Sequence, residues 1–192
     1  MRKNIFYIAT AVLLLSACNV AKDECKINGT IRSDKYEGVK IFVVPLDDES
    51  SEAVDSVEIH NRKFQFVRGD QRMASIRLDY HHRDGIQELL VVLEPGNVNM
   101  TIDSISHGGG TPQNDSLQVW KELTEKHNGE IIKLLQLRDS LDKAHHPLAV
   151  KKITEKADSL HNIYKRKTLT LAENLKSGTF HDFLIKLYPK TK

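Results

Sequence analysis

Apolar and polar residues alternate in the first half of the chain, whereas in the second half the apolar ones recur every three or four positions. Seven short runs, 25–31, 39–46, 53–59, 63–67, 73–80, 87–93 and 97–102, read as strands. Phe64 and Phe66 alternate with Lys63, Gln65 and Val67, and Ile76 and Leu78 flank Arg77. A period of two gives each strand one buried and one wet face. The breaks carry turn chemistry: Arg32-Ser33-Asp34, Asp47-Asp48-Glu49-Ser50, His60-Asn61-Arg62, Arg83-Asp84-Gly85 and Glu94-Pro95-Gly96-Asn97. Closely spaced short strands with tight turns predict an antiparallel sandwich or barrel-like sheet over 25–107.

The pattern changes at Gly108-Gly109-Gly110-Thr111-Pro112, and 108–113 reads as a hinge between sheet and helices. Thr111 suits an N-cap, Pro112 the first helical position, and Asp115 the positive end of the helix dipole. Leu117, Trp120, Leu123, His127, Ile131, Leu134, Leu137 and Leu141 then advance by three or four. Ala144-His145-His146-Pro147 interrupts this helix, because a residue before proline avoids helical geometry. A second stripe follows: Leu148, Ile153, Ala157, Leu160, Tyr164, Leu171 and Leu175, ended by Ser177-Gly178. Phe180, Phe183, Leu184, Leu187 and Tyr188 predict a short third helix that stops at Pro189. The fold class is therefore α+β: an N-terminal antiparallel β-sandwich-like domain followed by a long antiparallel helical hairpin over 114–192. Trp120 is expected to anchor the first helix on the sheet. Neither stripe is apolar enough to stand alone in water, so the helices should pack on each other and on the sheet or a partner.

Ahead of the domain, Arg2 and Lys3 precede an apolar stretch from Ile5 to Ala17, and Leu13-Leu14-Leu15-Ser16-Ala17-Cys18 closes it. A membrane span needs about 20 apolar residues, and this run has about 13. An ordinary secretory signal or a core helix would not require a cysteine directly after the small residues. The pattern reads as a lipoprotein signal over 1–17, with cleavage between Ala17 and Cys18, lipidation of the Cys18 thiol, and a tether over 18–24. Two or three acyl chains suffice for stable anchoring. The expected location is the outer membrane, facing the periplasm. Lys22-Asp23-Glu24 resembles acidic signals that send some lipoproteins to the cell surface, which stays as the alternative.

The leader changes how the composition is read. The chain has 28 basic and 26 acidic residues; losing Arg2 and Lys3 with the leader leaves 26 of each. A neutral mature chain without a dense basic patch argues against nucleic-acid binding. Of the two cysteines, lipidation consumes Cys18 and leaves Cys25 with no intrachain disulfide partner. Cys25 reads as a small apolar residue opening the first strand, the alternative being a reactive thiol or an intermolecular disulfide partner.

Taken in order, Ile27-Asn28-Gly29-Thr30-Ile31, residues 39–46, Val54-Asp55-Ser56-Val57, Lys63-Phe64-Gln65-Phe66, Leu93-Glu94-Pro95-Gly96-Asn97 and Gly110-Thr111-Pro112-Gln113-Asn114-Asp115 form a recognisable series. In it the β-rich half, from Cys25 to about Trp120, resembles the domain of unknown function placed ahead of thioredoxin-like domains in lipoproteins of Bacteroidetes-type bacteria. The resemblance implies an envelope setting. This chain ends near Lys192 with no thioredoxin-like segment, so the redox chemistry of that domain is not carried over. The front domain has no known catalytic residues to transfer.

Nine histidines invite a metal or catalytic reading. His81-His82 lies at a hairpin turn and His145-His146 at the helix junction, where adjacent side chains point apart. Asp142 with His146 and His127 with Glu130 have helical spacing, but neither forms an H-E-x-x-H set. The glycine run lacks the G-K-[ST] of a phosphate loop, and no G-x-S-x-G elbow is present. Carboxylate pairs such as Asp47-Asp48 and Asp23-Glu24 read as solvated. No catalytic residue, cofactor or metal ligand is therefore assigned. Three functions remain: a membrane-tethered, non-catalytic binding module for an envelope protein or ligand; an accessory working in trans with a periplasmic thioredoxin-like protein; and a histidine-dependent metalloenzyme.

Overall fold

The computed structural model describes residues 23–48, 50, 52–78 and 89–189. Eight strands are present: β1 (Cys25–Ile31), β2 (Lys40–Pro45), β3 (Asp55–Glu58), β4 (Lys63–Arg68), β5 (Met73–Arg77), β6 (Leu89–Val92), β7 (Gly96–Ile102) and β8 (His107–Gly109). They form two four-stranded sheets, ordered β4-β1-β7-β8 and β3-β2-β5-β6. All pairs are antiparallel except β1 with β7, where Cys25 faces Gly96 and Ile31 faces Ile102. That parallel pair departs from the all-antiparallel expectation. Both strands enter the sheet from the same end, β7 after the chain has built the second sheet.

The inward faces of the two sheets make one core from Ile27, Phe66, Ile41, Val43, Val91 and Val98, each at most 2% exposed. The Phe64 ring lies across Gly29, where a Cβ would stand 1.8 Å from Cζ. Glycine at that strand position is what lets the aromatic ring seat.

Three helices follow: α1 (Pro112–Lys143), α2 (Pro147–Leu175) and α3 (Thr179–Leu187). Their inner ends cover the outer face of the β2 sheet, where Met73 and Val92 meet Leu117, Ala172, Phe180 and Leu184. Phe180 and Leu184 are fully buried, each contributing about 1.5–3 kcal/mol through apolar burial. Trp120 packs edge-on against Phe180 and Phe183 at 6.0 and 5.7 Å, so it meets α3 within this second core. The order is sheet, sheet, helical layer.

The glycine run is not a free joint. His107–Gly109 is a strand that pairs with β7, Gly109 opposite Asn99. Gly110 takes φ +105° with Asn97 O only 2.6 Å from where a Cβ would sit. The chain leaves the sheet through a fixed turn, in place of the hinge expected over 108–113.

Candidate functional site

Thr111 is the N-cap residue of α1, yet its hydroxyl does not cap the helix. Glu94, in the turn between β6 and β7, does so: one carboxylate oxygen accepts from the backbone N–H of Gln113 (2.8 Å) and Asn114 (3.2 Å), the other from Gln113 Nε2 (3.0 Å). Asn114 donates to Val92 O and its Oδ1 accepts from Val92 N, both at 2.9 Å. Gln113 Oε1 in turn accepts from Phe180 N at 2.8 Å, which ties in the start of α3. Helix N-termini offer free N–H groups and a positive dipole end, so the buried Glu94 carboxylate is well placed here.

These bonds define one pole of the molecule. Gly96 N donates to Glu24 O at 2.9 Å, so the chain enters β1 at the same end where α1 starts. From there α1 runs back along β6 and onward. Its 32 residues span about 48 Å. The strands it lies on span roughly half that, so the outer parts of α1 and α2 project beyond the sheets at the opposite end.

Where the hairpin leaves the body, His127 stacks on Tyr164 with ring centroids 4.3 Å apart and planes 8° from parallel. His161 lies 5.7 Å from His127, and Tyr188 lies 6.5 Å from Tyr164. The Tyr164 and Thr124 hydroxyls are 2.8 Å apart. Burial lowers the His127 pKa below its ordinary 6.5, and His161 adds to the effect while Glu130 opposes it. Burial, and then Tyr164, raise the Tyr188 pKa. Among the described residues, His127 Nδ1, Thr168 Oγ1 and Trp120 Nε1 are buried without a hydrogen-bond partner.

Beyond His127 no residue of α1 is buried, and none of α2 before Tyr164. Ile131, Leu134 and Leu141 are half-buried, and Ile132, Leu137 and Leu148 are 54%, 46% and 79% exposed. A groove of 540 Å³ runs between the two helices, with Leu134, Leu160 and Ile163 in it and Glu130, Lys133 and Lys156 beside them.

A second, open depression of 860 Å³ crosses the β1 sheet, where Asn28, Thr30, Lys63, Gln65, Asn99 and His107 line it. Its polar groups bond one another: Gln65 Nε2 donates to Asn28 Oδ1 at 2.7 Å, the Thr30 and Thr101 hydroxyls are 3.3 Å apart, and His107 Nδ1 meets Gln118 Nε2 at 3.0 Å. At its border His60 lies between Glu37 and Glu58, at 3.6 and 3.5 Å.

Ala17, Cys18, His81 and His82 lie outside the described residues. His145 and His146 sit exposed at the hairpin tip, His145 at φ +56°. Cys25 is buried at the start of β1, and burial pushes its thiol pKa up to about 11. A protonated, enclosed thiol fits the structural reading of this residue and is poorly suited to nucleophilic chemistry. Among the described residues no group of three or more His, Cys, Asp or Glu is placed to hold a metal ion, and no helix is long and apolar enough to cross a membrane.

The Glu94 cap and the His127–Tyr164 stack were not foreseen. Glu94 reads as part of a turn, and the partner it caps is 19 residues away. His127 does carry a signal, since it falls on the apolar stripe of α1.

Residues 25–117 match the family described as a domain of unknown function, DUF4369. No curated protein and no solved structure matches the chain.

Proposed function

We propose, from the premise that residues 25–117 belong to the DUF4369 family of unknown function, that this chain is a non-catalytic, membrane-anchored binding module of the cell envelope. Lipid on Cys18 holds it at the outer membrane, with the periplasm as the side it faces. The observation that carries the reading is the projecting hairpin. Two long helices leave the body, bury none of their outer side chains, and expose Ile132, Leu137 and Leu148. Apolar side chains held out on a rigid arm serve contact with another molecule better than they serve the fold.

The poles add direction. Glu24 sits where α1 begins, and the six Cα-to-Cα steps from Cys18 to Glu24 reach about 20 Å at most. An anchor at Cys18 therefore lies at the opposite end of the molecule from the hairpin tip, which it leaves pointing into the compartment.

The test is metabolic labelling with a fatty-acid analogue and membrane fractionation, comparing the chain with C18A. Label on the wild type alone, with C18A released from the membrane, is expected. Equal label or equal membrane retention in both chains contradicts the anchor.

A further inference from the structure

The helices cover the outer face of the β2 sheet and leave the outer face of the β1 sheet open. The strand register sorts the side chains of that open face into rows across the strands. Gln65, Asn28 and Asn99 form one row, on β4, β1 and β7. Lys63, Thr30, Thr101 and His107 form the next, two residues further along. Val67, Lys26 and Asn97 lie on the other side of the amide row. Neighbours in a row stand about 4.8 Å apart, and successive rows about 7 Å.

The composition of this face is unfavourable for a sheet. Asparagine is depleted from strands, because its side chain competes for backbone groups and packs poorly on a pleated surface. Asn28, Asn97, Asn99 and Gln65 nonetheless occupy the open face of three adjacent strands. Threonine or valine there would hold the strands better. A local rule broken with no packing in return marks residues that answer to something outside the fold.

Much of the hydrogen-bonding capacity of these amides is unused. Gln65 Nε2 donates to Asn28 Oδ1 at 2.7 Å, which leaves Gln65 Oε1 and Asn28 Nδ2 available. Among the described residues, no hydrogen bond engages the side chain of Asn97 or Asn99. The carboxylates at the borders are engaged. Glu58 faces His60 at 3.5 Å, and Asp115, beside Gly109, accepts from Gly110 N at 2.7 Å. Lys26 and Lys63 form no ion pair among the described residues. The uncompensated charge of the face is therefore positive.

We infer that this face binds an acidic saccharide, with sugar hydroxyls on the amide row and a carboxylate on Lys63. A side-chain amide presents a donor and an acceptor side by side, which matches two neighbouring sugar hydroxyls. The spacing within the row is close to the length of one hexose unit, so successive sugars of an extended chain meet successive amides. The open depression of 860 Å³ has room for a few such units. Other ligand classes fit less well. A peptide strand joins a sheet at its edge through backbone groups, and this surface is a face. A nucleic acid brings more phosphate than two lysines neutralise, and its bases stack on aromatic rings that the rows lack apart from His107. An uncharged glycan would use the amides alone, so the lysines separate the two saccharide classes. The face lies on the β body and does not rest on the anchored-hairpin reading.

The experiment is titration calorimetry on the full chain in a polyoxyethylene detergent. The acidic probes are tetragalacturonate, tetramannuronate and a chondroitin tetrasaccharide; maltotetraose and cellotetraose are their uncharged counterparts. At least one acidic probe is expected to bind, about tenfold or more tighter than either uncharged one, and to weaken as salt is raised. N28T/N99T is expected to lose about tenfold or more in affinity. Its thermal unfolding should be unchanged or raised, since threonine suits strands better. K63Q is expected to weaken the acidic probe and to remove its preference over the uncharged ones. Absence of binding by all three acidic probes overturns the proposal. Equal affinity for an uncharged probe, or a folded N28T/N99T that binds like the wild type, does so as well. C18A is expected to bind the saccharide as the wild type does, so loss of the anchor and loss of this site are read separately.

Discussion

Glu94 shows how one side chain can join the parts of this fold. Its carboxylate takes two backbone N–H groups and the side-chain amides of Gln113 and Asn114 at the start of α1, and Gln113 passes the contact on to α3. Removing it leaves helix-end donors unpaired in a buried place. E94A is expected to lower unfolding stability by about 1–2 kcal/mol in chemical denaturation. E94Q keeps one acceptor oxygen and should lose less. Equal stability in all three proteins contradicts the role. This link was not legible in the sequence, because a turn residue announces its turn and not the distant helix it caps. Gly29 was legible only as part of an alternating strand; its necessity comes from the Phe64 ring across it. Cys25, by contrast, read correctly as a buried residue opening β1.

At the scale of elements, periodicity located the strands and all three helices, since alternation and the three-to-four spacing are local properties. It missed β8, whose three residues His107–Gly109 carry no apolar alternation and are held by pairing with β7. It also counted Leu137 and Leu148 on buried stripes. Both are exposed, because the hairpin continues past the sheet that covers its inner end. The junction where it leaves has a consequence for pH. His127 has its pKa lowered in the fold, with His161, Tyr164, Glu130 and Tyr188 around it. The unfolded chain therefore takes up this proton more readily than the folded one. The stabilising effect is complete above the ordinary value of 6.5 and is lost as pH falls below it. The slope reaches at most about 1.4 kcal/mol per pH unit from this one group. Denaturation at pH 7.5 and 5.5 is expected to show a loss that H127L largely removes. An identical loss in H127L would place the pH effect elsewhere.

For the whole molecule, the fold class was legible from pattern alone, and the family match over residues 25–117 agrees with the resemblance that the order of motifs suggested. What the sequence could not supply is direction. The parallel pairing of β1 with β7 and the Glu94 cap bring the entry of the chain and the start of α1 to one pole. The hairpin is then an arm of about 48 Å pointing from that pole. On the proposed reading, an anchor at Cys18 and the exposed side chains of the arm would combine into one device, a module that reaches out from the membrane. The decisive measurement is the height of the hairpin tip above a bilayer carrying the lipidated chain, read by energy transfer from a dye on H146C to labelled headgroups. Our account predicts a separation of at least about 40 Å, set by the length of α1. A tip within about 10 Å of the headgroups, a fraction of the same helix length, would contradict it.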